Sequence, residues 1–169
     1  MTFYELETMA TEGQNLSFAK AFSGCYGIYY KDNDSDVALN QVNNPSLGSV
    51  IVQKESKRDW ELTSESQVIN GLLCYRADSF NIVDNGTRIF KHQVIAWYCP
   101  SLPFSYGPMD YGGLPGLILS LQVRNVIFAA SKIDLDPKYD LKITKPSKGK
   151  LITNADYEKK LSELRPPGM

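Results

Sequence analysis

Only one histidine is available for acid–base chemistry in this sequence, and its surroundings do not favour catalysis. Alternate residues of a strand share a face, so His92 lies on the same face as Phe90 and Val94. No G-x-S-x-G, H-E-x-x-H, G-x-x-x-x-G-K-[ST] or G-x-G-x-x-G motif accompanies it. A histidine in such a strand is more often packed than catalytic. We therefore predict that the chain is not an enzyme and has no catalytic residues.

The hydroxyls, carboxylates and thiols do not complete a nucleophilic or zinc site either. Ser105 and Asp110 fall in a stretch rich in proline and glycine, where such residues usually cap turns. The sequence has three cysteines, so at least one thiol is unpaired. Cys74 and Cys99 fall on neighbouring predicted strands and could form a disulfide if their Cα atoms lie within about 7 Å. Buried free thiols are the alternative.

An acidic run from Asp32 to Asp36, with the sequence D-N-D-S-D, is the best candidate for a metal site. Calcium prefers carboxylate oxygens, but no bidentate glutamate follows at the spacing of an EF-hand loop. Residues 31–47, which include this run, have the Asp and Asn content of a solvated turn. We predict a surface loop over these residues, and neither a metal ion nor a cofactor in the protein.

Length and charge limit the classes of protein that the chain can represent. Its 169 residues predict a single domain over 1–169. The 18 Lys and Arg residues nearly balance the 19 Asp and Glu residues, so the net charge of -1 gives no reason to expect nucleic-acid binding. The longest apolar runs are far shorter than the roughly 20 residues of a membrane span, and we expect no transmembrane segment. The first residues also lack the basic start and apolar run of a signal peptide.

Short β-prone runs separated by turn residues predict a mainly β fold. Alternating or apolar runs indicate eight to ten strands, which cover residues 24–30, 49–53, 60–65, 68–77, 80–83, 88–98, 117–123, 126–131 and 140–144. Asn70-Gly71 predicts either a bulge or a tight turn, and Asp84-Asn85-Gly86 predicts a hairpin. Strands joined in this way form an antiparallel meander, which must curl into a curved sheet or half-barrel to bury its apolar face.

A short C-terminal helix is predicted to begin after Thr153. Asp156 lies three residues later and completes an approximate capping box, and Ile152 can pack on Tyr157 across the cap. Three residues would form an apolar stripe along this helix, namely Tyr157, Leu161 and Leu164. The loose helical spacing of apolar residues within 1–22 also favours a short N-terminal helix.

The stretch from Ala96 to Gln122 alternates prolines and glycines with aromatic and aliphatic residues. Proline fixes φ and glycine permits positive φ, so this pattern specifies one chain path rather than a flexible loop. We expect Gly113 and Gly116 to adopt positive φ. Valine at either position should then destabilise the protein more than Tyr106→Ala does, at a cost of about 1 to 3 kcal/mol.

The same stretch contains the hexapeptide G-L-P-G-L-I at residues 113–118, which names the GLPGLI family of Bacteroidetes envelope proteins. The preceding Ala96-Trp97-Tyr98 and the later Gly107-Pro108 also resemble that family's pattern. Upstream, residues 69–77 are similar to its I-x-G-Y-x-C-x-K-A segment, although Leu72, Arg76 and Cys99 depart from the usual residues. The resemblance covers about residues 57–160. It implies a structural motif made of Gly107, Pro108, Gly113, Leu114, Pro115, Gly116, Leu117 and Ile118.

Members of that family are exported, so the resemblance implies a location in the periplasm or cell envelope. They generally carry a signal peptide and more strand-rich sequence at the N-terminus than this chain has. We interpret the chain as a truncated or mature form. The predicted curved sheet, with its strand similar to the I-x-G-Y-x-C pattern, resembles the half-barrel of periplasmic lipoprotein carriers.

Two non-enzymatic functions follow as hypotheses. In the first, the chain is an envelope protein that docks a partner protein through aromatic residues on the stiff Pro/Gly stretch, because such residues lose little entropy on binding. The predicted binding residues are Trp97, Tyr98, Phe104, Tyr106 and Tyr111. In the second, the concavity of the curved sheet carries a lipid or other apolar ligand. Aromatic side chains that point into a filled core would instead have a structural role.

Overall fold

The computed structural model describes residues 26–32, 35–84, 86–139 and 142–164. These residues form nine strands and one helix, which confirms the mainly β class with a short C-terminal helix. The elements are β1 (Ile28–Lys31), β2 (Val37–Asn44), β3 (Gly48–Glu55), β4 (Glu61–Ile69), β5 (Leu72–Asp84), β6 (Ile89–Cys99), β7 (Leu117–Val123), β8 (Val126–Ala129), β9 (Lys150–Thr153) and α1 (Asn154–Glu163). The N-terminal helix predicted within 1–22 lies outside the described residues.

The chain divides into two compact units, and the strands divide between two sheets in the same way. One unit comprises the chain up to Ser56 together with the chain from Lys142, and holds a sheet of order β1-β2-β3-β9. The other runs from Lys57 to Leu141 and holds a sheet of order β4-β5-β6-β7-β8. The single domain predicted for 1–169 stays a prediction. None of the described helices has the length and apolar character that crossing a membrane requires.

The five-stranded sheet is an antiparallel meander whose hairpins follow local sequence. Asn70 and Gly71 have φ of 50° and 79° and join the paired residues Ile69 and Leu72, so the tight-turn alternative is confirmed. Positive φ at both central residues is what a type I′ hairpin requires. The predicted hairpin at Asp84-Asn85-Gly86 is also confirmed, since β5 pairs with β6 as far as Asp84 and Ile89.

The core of this sheet is a row of residues paired across four strands. Ala77, Ala96, Leu121 and Phe128 lie side by side in register, and none is more than 5% exposed. Ser79 lies on the same face as Ala77 by strand alternation, and its hydroxyl donates to the carbonyl of Asp59 at 2.7 Å. The backbone just before β4 therefore contacts this face at Ser79.

The four-stranded sheet contains a strand that the sequence did not predict. Residues 31–47 were expected to form a surface loop, and this prediction is wrong because Val37–Asn44 is strand β2. β2 pairs with both β1 and β3, so its backbone groups are satisfied in the ladder despite its Asn and Gln content. Ala38, Leu39 and Asn40 are buried. The position of β2 between two neighbouring strands, rather than its turn-like composition, determined its conformation.

The last strand also differs from the prediction. A strand was expected at 140–144, but residues 142–144 have no regular structure and the other two lie outside the described residues. The strand is β9, which pairs in parallel with β3 from Val50 opposite Lys150 to Gln53 opposite Thr153. Its residue Ile152 packs against Val50 and Val52. This long-range contact makes a strand of a segment with only two apolar residues.

Helix α1 begins as the sequence predicted. The Thr153 hydroxyl accepts from the amide of Asp156 at 3.1 Å and donates to the carboxylate of that residue at 2.8 Å. Tyr157 packs against the cluster of Val50, Val52 and Ile152, which agrees with the predicted contact across the cap. The apolar stripe is weaker than predicted because its last member, Leu164, is 50% exposed at the C-cap.

Thr153→Ala should loosen the first turn of α1. The change leaves the Asp156 amide without its side-chain acceptor, and loss of such a cap costs about 1 kcal/mol. We expect the amides of the first turn to exchange with solvent about fivefold faster in hydrogen-exchange mass spectrometry. Thr144→Ala, at an exposed position outside the helices and strands, is the control. Equal exchange in the two variants would contradict the capping role.

Candidate functional site

The candidate site is the connection between β6 and β7, residues 100–116, which we call the Pro/Gly loop. The loop begins where β6 ends at Cys99 and returns to the sheet at Leu117, which pairs with Cys99. The pairing of β6 with β7 shifts register between Trp97 and Tyr98, next to the base of the loop. Such irregularities redirect strands and are frequent beside functional sites.

Backbone hydrogen bonds hold the Pro/Gly loop in one path. At its base the amide of Leu117 donates to the carbonyl of Leu102 at 2.9 Å, and the amide of Ile118 donates to the carbonyl of Tyr106 at 2.9 Å. Across the loop the amide of Gly113 donates to the carbonyl of Ser105 at 3.1 Å. The sequence-based expectation of one specified path, rather than a flexible loop, agrees with this network.

The two glycines singled out in the hexapeptide are required for different reasons. Gly113 has a φ of 84°, as expected, and a Cβ there would meet nothing within 4 Å. Gly116 does not have positive φ, so that part of the expectation is wrong. A Cβ on Gly116 would instead collide with the carbonyl of Cys99 and lie 2.9 Å from the nitrogen of Pro100. Glycine is required at position 116 because the backbone there approaches the backbone at Cys99 and Pro100 too closely for any side chain.

The hexapeptide supplies the interior of the loop. Leu114 and Ile118 are 1% exposed and Leu117 is 9% exposed, whereas Pro115 faces solvent. Gly107 and Pro108 are buried as well, and a Cβ on Gly107 would lie 2.6 Å from the Ile118 side chain. Six of the eight motif residues are thus buried, all but Gly113 and Pro115, and a structural role for the motif stays a prediction.

Side chains from outside the loop fasten it to the sheet. The hydroxyl of Tyr111 accepts from the amide of Asn81 at 2.9 Å, and the indole of Trp60 donates to the carbonyl of Gly112 at 2.9 Å. The guanidinium of Arg58 lies 4.5 Å from the centre of the Tyr111 ring and 5.8 Å from that of Trp60, within the range of cation–π attraction. Burial raises the pKa of Tyr111, which keeps its phenol protonated.

Sequence reasoning missed Arg58 and Asn81 as partners of the loop. Arg58 lies between the strands predicted at 49–53 and 60–65, and Asn81 lies in the strand predicted at 80–83. The only signal was the unusual proximity of Arg58 to Trp60 in the sequence, since a cation near an aromatic residue is often stacked on it. Their contact with Tyr111 depends on the fold alone.

The structure distributes the five predicted binding aromatics between interior and surface. Tyr98, Tyr106 and Tyr111 are buried, each no more than 8% exposed, and Tyr98 packs beside Tyr75 with ring centres 6.3 Å apart. Trp97 is half-buried on β6. Phe104 is 49% exposed and is the aromatic that the loop presents to solvent. A binding role for each of the five stays a prediction.

Phe104 is held by its own backbone. Its amide donates to the carbonyl of Leu102 at 2.7 Å, and its carbonyl accepts from the amide of Tyr106 at 2.8 Å. These bonds skip one residue, as in γ-turns, and fix both peptide groups of Phe104. The flanking Pro103 and Ser105 are exposed. The ring therefore projects from an ordered turn.

His92, Ser105 and Asp110 were considered for chemistry, and the structure describes all three. The Nε2 atom of His92 lies 2.6 Å from the guanidinium of Arg124, and its ring stacks on Phe90 at 6.2 Å. Ser105 is exposed and Asp110 is half-buried. Among residues 26–32, 35–84, 86–139 and 142–164, no group of three His, Cys, Asp or Glu side chains could hold a metal ion. Asp34 of the acidic run lies outside these ranges.

A separate groove of about 390 Å³ runs beside α1 and β9. Five of its lining residues are charged, among them Lys150, Lys159 and Asp156. This mixed lining differs from the mostly apolar lining of a typical small-molecule pocket. It provides no support for the predicted carrier of an apolar ligand, which stays a prediction.

The chain is a mainly antiparallel β protein in which a hydrogen-bonded Pro/Gly loop connects β6 to β7. A family model described as a protein of unknown function (Porph_ging) matches residues 88–120, which hold all of β6, the whole loop and the start of β7. This match supports a relationship to the GLPGLI-type family over that part of the chain. The curated proteins contain no match to the chain, and neither do the solved structures.

Proposed function

We propose that the chain is a non-enzymatic binding protein of the cell envelope that docks a partner protein through the Pro/Gly loop, with Phe104 as the anchor. The observation that carries this proposal is the position of Phe104, a half-exposed aromatic ring on a turn whose amide and carbonyl are both hydrogen-bonded. An anchor that is ordered before binding loses little conformational entropy when it docks.

The loop that carries Phe104 has the composition of an interface centre. Pro100, Pro103 and Pro115 are exposed on the same loop, and the loop contains no lysine, arginine or glutamate. Centres of protein interfaces are depleted of charged residues and enriched in aromatic ones. An exposed aromatic ring on a loop with exposed prolines therefore suits an apolar pocket on a partner protein.

Two buried tyrosines, Tyr106 and Tyr111, help to hold the loop that carries Phe104. Tyr106 lies two residues from Phe104, its carbonyl accepts from the amide of Ile118, and its side chain is 8% exposed. Tyr111 is bonded to Asn81 on β5. In the proposal these residues keep the loop in shape, and Phe104 makes the contact.

The envelope location and the absence of enzymatic activity also belong to the proposal. The family-model match over residues 88–120 supports the first, since the GLPGLI resemblance implies an exported protein. The contacts of His92 support the absence of enzymatic activity, since its partners Phe90 and Arg124 are neither nucleophiles nor carboxylates.

A photo-crosslinking amino acid placed at position 104 tests the docking site. p-Benzoylphenylalanine would replace Phe104 in one variant and Phe80 in another, because Phe80 is a phenylalanine of similar exposure, 51%, on the sheet. In a Bacteroidetes cell envelope, we expect a discrete adduct with one protein from position 104 and none from position 80. Equal adducts from both positions, or none from position 104, would refute docking through the loop.

A further inference from the structure

Two cysteines stand opposite each other at the base of the Pro/Gly loop. Tyr75 of β5 pairs with Tyr98 of β6, so the next step along the antiparallel strands places Cys74 across from Cys99. Directly opposite residues of an antiparallel pair have Cα atoms about 4.5 to 5.5 Å apart and side chains on the same face. Disulfides need Cα separations of about 4.4 to 6.8 Å. The register thus satisfies the main geometric requirement of a disulfide.

Both thiols are buried in the interior of the five-stranded unit. Both side chains are 0% exposed, and both thiols are free in this structure. Burial raises the pKa of Cys74 to about 11, and the neighbouring Cys99 thiol adds to the rise. Cys99 also lies 3.0 Å from the hydroxyl of Ser101, within the loop. A buried thiol with a raised pKa reacts slowly, so oxidation belongs to folding, before the loop closes over the pair.

We propose that Cys74 and Cys99 form a cross-strand disulfide when the chain folds in an oxidising compartment, and that this bond fixes the base of the Pro/Gly loop. Cys99 is the last residue of β6, and its carbonyl accepts from the amide of Leu102 at 3.1 Å. A bond from Cys99 to β5 would therefore anchor the point at which the loop leaves the sheet. This inference is independent of the docking role proposed for Phe104.

The oxidant required is a disulfide of the glutathione type. One cysteine thiolate attacks a sulfur of glutathione disulfide, which releases one glutathione thiol and leaves a mixed disulfide on the protein. The second cysteine thiolate attacks the protein sulfur of the mixed disulfide and releases the second glutathione thiol. The two cysteines lose two protons and two electrons, and the glutathione disulfide is reduced to two thiols.

Refolding in a glutathione redox buffer tests the proposal. The reduced, denatured chain carrying Cys25→Ser has only the two cysteines in question and would be refolded with equal amounts of reduced and oxidised glutathione. We expect an intact mass that is lower by two hydrogens, and a cross-linked peptide that joins Cys74 to Cys99 in the monomer. The disulfide should raise the melting temperature by about 5 to 10 °C relative to the reduced protein.

Two matched controls isolate the pair. Cys74→Ser and Cys99→Ser, each in the same background, should show neither the mass change nor the difference in melting temperature between oxidising and reducing buffer. Peptide mapping of the unsubstituted chain after the same refolding should give the same joined peptide. The proposal is overturned if both thiols of the refolded chain still react with an alkylating reagent after denaturation. A disulfide found only between two chains would overturn it as well.

Discussion

Gly116→Ala is expected to lower the free energy of unfolding of the five-stranded unit by about 3 kcal/mol. The added methyl group would collide with the carbonyl of Cys99 and lie 2.9 Å from the nitrogen of Pro100, and both obstacles are backbone atoms that cannot rotate away. Relief requires the loop to move off the end of β6, which breaks the pairing of Leu117 with Cys99. Urea unfolding followed by tryptophan fluorescence measures the loss, because Trp60 and Trp97 both belong to this unit.

Gly113→Ala is the matched control for this prediction. Gly113 lies in the same hexapeptide, and a Cβ there meets nothing within 4 Å, so its cost is limited to the positive φ of 84°. Left-handed backbone costs an alanine about 1 to 2 kcal/mol. If Gly113→Ala proves as damaging as Gly116→Ala, then close approach to Cys99 is not what requires glycine at position 116.

Leu114→Ala is expected to cost about 3 kcal/mol, within the range measured for leucine side chains removed from protein cores. Leu114 is 1% exposed although it lies in the Pro/Gly loop, so its removal leaves a cavity in the interior of the five-stranded unit. The same unfolding experiment applies. We also expect Leu114→Ala to weaken crosslinking at position 104, because the turn that presents Phe104 loses its support.

Phe104→Ala tests partner binding separately from the stability of the loop. Its ring is 49% exposed, and substitutions at such positions usually change stability by less than about 0.5 kcal/mol. Stability should therefore remain near that of the unsubstituted chain while partner binding is lost. A large loss of stability in Phe104→Ala, or little loss in Leu114→Ala, would reverse the roles that we assign to the two residues.

The burial of Tyr106 also changes the order of effects expected from the sequence. Truncation of a buried aromatic residue typically costs about 3 to 5 kcal/mol. Tyr106 is 8% exposed, so Tyr106→Ala should destabilise the protein at least as much as a substitution of Gly113. From the sequence alone the reverse order was expected, because valine at a glycine position of positive φ was expected to cost about 1 to 3 kcal/mol.

The sequence by itself determined the features that depend on a few neighbouring residues. Asn70-Gly71 forms a two-residue turn because both residues tolerate positive φ. Thr153 and Asp156 cap α1 because donor and acceptor are three residues apart. The fixed path of the Pro/Gly loop follows from the same kind of local restriction. The local chain carries the physical cause of each feature, so the pattern is sufficient to predict it.

Only the tertiary structure decided which loop residues face the protein and which face solvent. Proline and glycine specify that the loop turns, but they do not specify what lies beneath each turn. Tyr111 is buried because Asn81 of β5 and Arg58 meet it, and neither is adjacent to it in the sequence. Gly116 is required because Cys99, at the far end of the loop, approaches its backbone. Phe104 has exposed neighbours and no such burial.

The tertiary structure likewise decided the two strands that composition did not predict. β2 is polar enough to be solvated, yet it is a strand because β1 and β3 satisfy its backbone on both sides. β9 has only four residues and becomes a strand by parallel pairing with β3, in which each residue of β9 lies opposite the residue 100 positions earlier, as Lys150 does opposite Val50. Pairing over such distances rewards segments whose own propensity is weak. The stabilising partner lies elsewhere in the chain, so the local sequence does not predict that these segments form strands.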